Sequence, residues 1–335
     1  MKSAPVIAIA GATGLVGHEM LVLLEERKIA CSELRLLASE DSAGEVYKFG
    51  QDEVVVQTLK EDSFAGVDIA LFATSAELSA KFVPLAVEAG ATAIDNSSHF
   101  RLHPEVPLVV PEVNPDSITP SKKIIANPNC STIQLMPALK VLEELGGLEH
   151  VVVSTYQSVS GAGKAALDEL WSQTLAVFNQ QEIVHEAFQH QIAFNCIPQI
   201  DLIMDDGFTR EEFKIMQESK KILSLPNLRI TATSVRVPVF YSHAESVFVE
   251  TKREVTPAQF LQACSTRKEI SVHAAHDEYP LQLDAAGNDE IHIGRVRKDP
   301  SVTNGLSFWV VADNVRKGAA LNAVQIVEHL ISTRH

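Results

Sequence analysis

The chain has 335 residues, 46% hydrophobic and 21% charged, with 43 acidic side chains against 28 basic ones and a formal charge of −15. At roughly 150 residues per domain this length provides for two domains of ordinary globular composition. The acidic balance, without a Lys/Arg-rich stripe, argues against a nucleic-acid partner, and no apolar run of about 18 residues is present to cross a membrane.

The N-terminal run at 5–10 reads as a strand that meets a glycine turn, so a signal-peptide core is not expected. Gly11, Gly14 and Gly17 form that turn. Met20, Leu21, Leu23 and Leu24 then recur at helical spacing. Strand-like runs follow at 34–38, 67–74, 91–97, 107–110 and 123–127, with a helical stretch at 75–90. Such alternation predicts an α/β fold, a Rossmann-type dinucleotide-binding domain with a doubly wound parallel sheet over 1–129. After 145 a strand, a polar turn and a long helix appear. Later strand-like runs at 229–240, 245–255 and 305–314 predict a second, α+β domain over 130–311, with a mixed or antiparallel sheet. The amphipathic stretch 317–332 is expected to return to the first domain, which then comprises 1–129 plus 312–335.

The turn Gly11-Ala-Thr-Gly14-Leu-Val-Gly17 follows a strand and opens a helix. Glycines there allow close backbone approach to a pyrophosphate, and the helix N-terminus offers N–H donors. A tight turn with no ligand is the competing reading. After the second strand, Ser39 and Ser42 can hold a 2′-phosphate, whereas Glu40 and Asp41 repel one. The four cysteines, Cys31, Cys130, Cys196 and Cys264, are too scattered for a zinc site or a disulfide framework. They fit a reducing cytoplasm. Cys196 reads as buried. Cys130 follows Asn-Pro-Asn129 and precedes an apolar helical run. It is either a buried structural thiol or a thiolate stabilised at a helix N-terminus. His243 stands at a strand end or bend, where a histidine is commonly structural. Arg236 lies in a strand-like run, where a buried cation needs an anion. Gln157 ends a strand, and Gly161-Ala-Gly163 opens the next helix. The charged stretch 209–223 reads by default as a solvated helix face with Glu–Lys pairs three apart.

In order along the chain, "GATGLVG", "SSHFR", "PLVVPEVNP", "ANPNCSTIQ", "TYQSVSGAGK", "FNCIPQID", "REEFK", "SVRVPVFYSHAE" and "VADNVRKGAA" resemble the bacterial aspartate-semialdehyde dehydrogenase family. The resemblance implies NADPH-dependent conversion of L-aspartyl-4-phosphate to L-aspartate-4-semialdehyde and phosphate. That step leads toward lysine through diaminopimelate, and toward methionine, threonine and isoleucine. It implies Cys130 as the nucleophile that forms a thioester, His243 as general acid/base and Gln157 as the residue orienting the acyl group. It further implies Arg236 on the substrate carboxylate, Glu211 on its amino group, and Arg101, Asn129 and Lys214 on phosphate. Thr13, Gly14, Leu15, Val16, Ser160, Gly161 and Asn314 would line NADP(H), and the protein would be a homodimer, with 130–311 as its catalytic and dimerisation domain. No metal is implied. There are two departures, of which the first matters and the second is expected to be minor. Asp41 stands where the family commonly has an arginine, which would weaken NADP preference or admit NAD. Ser242 stands where glycine is common. A non-catalytic dinucleotide-binding relative and an N-acetyl-glutamyl-phosphate reductase remain as alternatives.

Overall fold

The computed structural model describes residues 4–275 and 277–333. They divide into two compact units, residues up to Asn129 with those from Ala319 onward, and Cys130–Gly318. The first contains β1 (Val6–Ala10), α1 (Leu15–Glu26), β2 (Glu33–Ala38), β3 (Val46–Phe49), β4 (Asp52–Thr58), β5 (Ile69–Phe72), α2 (Ala76–Glu88), β6 (Thr92–Asp95) and β7 (Ile124–Ala126). Its sheet order is β3-β4-β2-β1-β5-β6-β7. All pairings are parallel except the β3–β4 edge pair. Strand order reverses at β1, which has β2 on one side and β5 on the other, so the crevice beyond its C-terminal end is a topological switch point. β1 reads VIAIA because both faces are covered. Ile7 and Ile9 join Met20, Leu23 and Leu24 in one core, and Ala8 and Ala10 join Phe72 and Phe82 in the other.

The second unit contains α3 (Cys130–Gly146), β8 (Leu148–Gln157), α4 (Lys164–Phe178), α5 (Arg210–Ile222), β9 (Arg229–Arg236), β10 (His243–Thr251), α6 (Pro257–Ser265), β11 (Ile270–Val272), α7 (Gln282–Ala285), β12 (Ile291–Asp299) and β13 (Gly305–Ala312). Its sheet, β11-β12-β13-β10-β8-β9, is mixed. β8–β9 and β11–β12 are parallel and the other pairings antiparallel. The alternation of β8 buries Val151, Val153, Thr155 and Gln157 and turns Tyr156 outward. The last helix, α8 (Asn322–Ser332), places Ala323, Val324, Ile326 and Val327 in the first unit's core.

Three local differences from the sequence-based expectation have physical causes. Residues 107–110 make only an isolated bridge, Leu108 to Ala126. The Val110 N–H turns to the Asn114 side chain, which also donates to the Leu108 carbonyl, and this local loop replaces a ladder. The chain rejoins the first unit at 319 and not at 312. Asp313 is held by the Gly287 N–H of the second unit, and Gly318 lies against Cys130. Finally, α5 is not a solvated charge run, since Glu211, Glu212 and Glu218 are buried. The pair Glu211–Lys214, three residues apart, does form, at 3.3 Å.

Candidate active site

Helix α3 begins at Cys130, so Asn129 takes the cap position and the thiol stands at the positive end of a 17-residue helix. Cys130 is half-buried. Three sequence-predicted residues are gathered by sheet register. His243 at the start of β10 pairs with Gln157 at the end of β8, and Gln157 pairs with Arg236 at the end of β9. All three are buried. Gln157 Nε2 donates to Ser131 Oγ at 2.7 Å, beside the thiol in sequence, and to Glu211 Oε1 at 3.2 Å. Lys214 Nζ reaches Glu211 Oε2 at 3.3 Å and Asp201 Oδ2 at 2.8 Å. One helical turn from Glu211 to Lys214 therefore presents an anion and a cation to the same place.

His243 is held on one side only. Its Nδ1 accepts the Ser158 N–H at 3.0 Å and faces Ser158 Oγ at 3.1 Å, while Nε2 has no partner among the described residues. This pattern assigns the neutral proton to Nε2. Burial chiefly, then the Arg236 cation, pushes the ring's pKa down to about 3, slightly opposed by the Ser242 backbone. Arg236 Nη1 donates to the Ser158 carbonyl at 2.7 Å. Burial lowers its pKa, and Glu211 and Cys130 act against that, so the guanidinium favours the thiolate in return. Asn314 Oδ1 ties the surround together. It accepts from Ser158 Oγ and Ser160 Oγ at 3.1 Å each and from the Ser242 N–H at 2.9 Å. A Cβ added at Gly161 would lie 3.0 Å from Arg236 Nη1 and 3.1 Å from His243 Nε2, so glycine lets the backbone approach both groups closely.

In the first unit, Gly11 has φ +82°, and a Cβ there would meet the Ala73 carbonyl oxygen at 2.3 Å. At Gly17 it would meet the Gly11 carbonyl oxygen at 2.1 Å. Chain packing thus explains these two glycines. Gly14 is different. A Cβ there meets nothing closer than 3.4 Å, and the residue is exposed at the cap of α1. No side chain caps that helix and no acid occupies its first turn. Its open N–H groups and positive end fit a pyrophosphate. Thr13 Oγ1 donates to Ser42 Oγ at 3.3 Å. A cavity of about 400 Å³ is lined by Gly11, Ser39, Glu40, Thr74 and Lys81, among others. Residues 40–42 form a short exposed turn, with Asp41 at its surface. Leu15 and Val16 open α1. The residues present therefore fit a dinucleotide. Arg101, nearly buried, donates from Nε to the Asn127 carbonyl at 2.9 Å and from Nη2 to the Asn96 carbonyl at 2.8 Å. Asn129 is buried.

Sequence reasoning missed Ser131, Ser158 and Asp201. Ser158 was the most findable, as a polar residue directly after Gln157 on a strand end. Asp201 lies in an irregular segment with no periodic signal. Cys196, expected to be buried, is exposed. Phe194 adopts φ 61°, which swings residues 194–196 outward while Ala193 and Ile197 stay in the core. Alternation does not govern such a segment.

The chain matches the family model for the semialdehyde dehydrogenase NAD binding domain over residues 6–121. It matches the semialdehyde dehydrogenase dimerisation domain over 139–317. It is 51% identical over 328 residues to aspartate-semialdehyde dehydrogenase 2 of Vibrio cholerae, with 97% of each chain covered. To the aspartate-semialdehyde dehydrogenase of Aquifex aeolicus it is 48% identical over 331 residues, again 97% of each. The crystal structure of aspartate semialdehyde dehydrogenase II from Vibrio cholerae complexed with ASA has a TM-score of 0.97, at 49% identity over 99% of both chains.

Proposed function

The chain belongs to the aspartate-semialdehyde dehydrogenase family, and from that premise we propose how its residues perform the reaction. The activity is that of an oxidoreductase in aspartate-family amino-acid biosynthesis. The Cys130 thiolate attacks the acyl carbon of L-aspartyl-4-phosphate. The C–O bond to phosphate breaks, and the departing phosphate takes up the proton that the thiol released on ionising. A thioester remains on Cys130. When bound, the nicotinamide supplies the hydride that takes this thioester to a thiohemiacetal, which collapses to the semialdehyde and the thiol. Gln157 orients the acyl group. Arg236 grips the α-carboxylate in a fork that lysine cannot reproduce. Glu211 takes the α-amino group. Lys214, Arg101 and Asn129 hold phosphate.

His243 enters neutral. Its buried Nε2–H has no partner among the described residues and can stabilise the developing oxyanion. To accept a proton at Nε2 the ring must first shift its own proton to Nδ1, because Nε2 carries the proton in the neutral tautomer. Ser158 accommodates both states. Its N–H serves the neutral ring, and its Oγ, already donating to Asn314, can accept from Nδ1–H at 3.1 Å. The row His243–Gln157–Arg236 beside the Cys130 helix is the observation that carries this reading.

NADP(H) is the proposed dinucleotide, with Ser39, Ser42 and Lys81 (which pairs with the exposed Glu61 at 3.2 Å) proposed to meet a 2′-phosphate and Asp41 opposing it, so NAD is admitted as well. Lys81 adds a cation that sequence alone did not suggest. A homodimer is proposed through the outer sheet face of the dimerisation domain, where Tyr156 and Leu281 are exposed beside Trp309. The protein is proposed to work in the cytoplasm. The test is phosphate-dependent reduction of NADP and of NAD with aspartate semialdehyde, for the native chain and Cys130→Ala. Turnover by the native chain alone supports the reading. Normal turnover by Cys130→Ala overturns it.

A further inference from the structure

We propose that Glu245 works as an uncharged carboxylic acid that locks the Cys130 helix to the His243 strand, which makes it a positioning residue for the reaction. Glu245 is fully buried, two residues after His243 and on the same face of β10. Register sets Thr155 opposite it and Ser234 beyond Thr155. This second polar row lies directly behind His243–Gln157–Arg236. Gln134, one turn after Cys130 on α3, donates from Nε2 to the His243 carbonyl at 3.4 Å. The same amide acts on the Glu245 carboxyl in the donor sense, favouring the charged form against burial.

Five buried oxygens in this cluster have no hydrogen-bond partner among the described residues. They are Ser234 Oγ, Thr155 Oγ1, both Glu245 oxygens and Gln134 Oε1. Buried polar groups left so are costly, and so is an isolated buried charge. An ionised Glu245 has no proton to pass on, so Gln134 Oε1 stays orphaned. One proton on Glu245 completes a one-way chain. In that chain Ser234 would donate to Thr155, Thr155 to Glu245 and Glu245 to Gln134 Oε1, three bonds the structure does not make, while Gln134 already donates to the His243 carbonyl. Small side-chain rotations would have to close each gap.

The surrounding titratable groups do not oppose this. His243 is neutral, Arg236 is engaged with the Ser158 carbonyl, and Glu212 on α5 accepts the Ser234 N–H. Burial holds the Glu245 pKa well above the usual carboxylate range, and only Gln134 acts against it. The chain ends at the two elements that carry the thiol and the imidazole, so it fixes their separation.

The inference rests on Cys130 and His243 as the reacting pair, and its first test does not need them. The infrared difference between the native protein and Glu245→Gln at neutral pH should show a carboxylic-acid C=O band lost on substitution. A carboxylate band in its place overturns the proposal. The second test is the rate of iodoacetamide alkylation, read at the Cys130 peptide because Cys196 is exposed. Displacing the α3 anchor in Glu245→Leu should slow alkylation about 10-fold and lower kcat with KM nearly unchanged, as expected for loss of positioning. Glu245→Gln, which keeps a donor and an acceptor, should restore both, with the pH midpoint of alkylation unmoved. A native rate in Glu245→Leu, or a shifted midpoint in Glu245→Gln, overturns the lock. An acid band in a protein without turnover would refute the proposed reaction and leave the neutral acid standing.

Discussion

Replacing Gly161 by alanine isolates the geometry of the site from its chemistry. The backbone at 161 is not in the left-handed region, so alanine adopts it without strain. Its Cβ would press on Arg236 Nη1 at 3.0 Å and His243 Nε2 at 3.1 Å. Neither group can retreat freely. The ring is pinned through Nδ1 to Ser158, and the guanidinium is pinned to the Ser158 carbonyl. Each must give by a few tenths of an ångström. A misplacement of about 1 Å costs about 100-fold, so two smaller ones should cost about 10- to 30-fold in kcat, or about 1.4–2 kcal/mol. Stability should barely change, because mild overpacking is offset by about 0.4–1 kcal/mol from the reduced entropy of the unfolded chain. Steady-state kinetics with phosphate, NADP and aspartate semialdehyde, paired with thermal unfolding, would measure both. Native kcat in Gly161→Ala would refute the crowding argument. An equal loss of activity and of folded protein would refute its assignment to geometry.

Ser242 adopts φ 70° and carries a buried hydroxyl with no partner among the described residues. Ser242→Gly should therefore stabilise the protein by about 1 kcal/mol in denaturant unfolding, after subtracting the entropy cost of glycine. Asp41→Arg should raise the ratio of kcat/KM for NADP over NAD by about 10- to 100-fold, because a charge-assisted hydrogen bond to the 2′-phosphate replaces a repulsion. An unchanged ratio would remove the turn at 40–42 from the 2′-phosphate site. The depressed pKa of His243 has a defined sign. Its folded value of about 3 lies below the unfolded value near 6.5. The unfolded chain then binds a proton that the native state does not, so this contribution is present above pH 6.5 and lost as pH falls toward 3. The slope is up to about 1.4 kcal/mol per pH unit. His243→Asn should lose that slope between pH 6 and 4, and an unchanged slope would contradict a neutral buried ring.

Much of the site was legible because its residues lie at element ends that periodicity can locate. The strand ending at Gln157, the helix opening at Cys130 and the glycine turn before α1 all follow from pattern and punctuation. Register was not legible. Nothing in "TSVR" or "SHAE" says that Arg236 and His243 flank Gln157, because strand pairing is a long-range choice. The polar residues inside otherwise apolar strands, Thr155, Ser234 and Glu245, were visible as exceptions, but their alignment into one row was not. The edge hairpin of β3 and β4 escaped because its alternating residues are largely exposed. Cys196 misled because apolar neighbours in sequence do not bury a residue in a segment whose backbone turns outward.

The most direct test of the proposed mechanism is mass spectrometry of the quenched protein after incubation with aspartate semialdehyde and NADP in the absence of phosphate. Without its acceptor the acyl group should accumulate as a thioester on the Cys130 peptide and disappear on addition of phosphate. No adduct, or one on Cys31, Cys196 or Cys264, would contradict the assignment of Cys130 as the nucleophile.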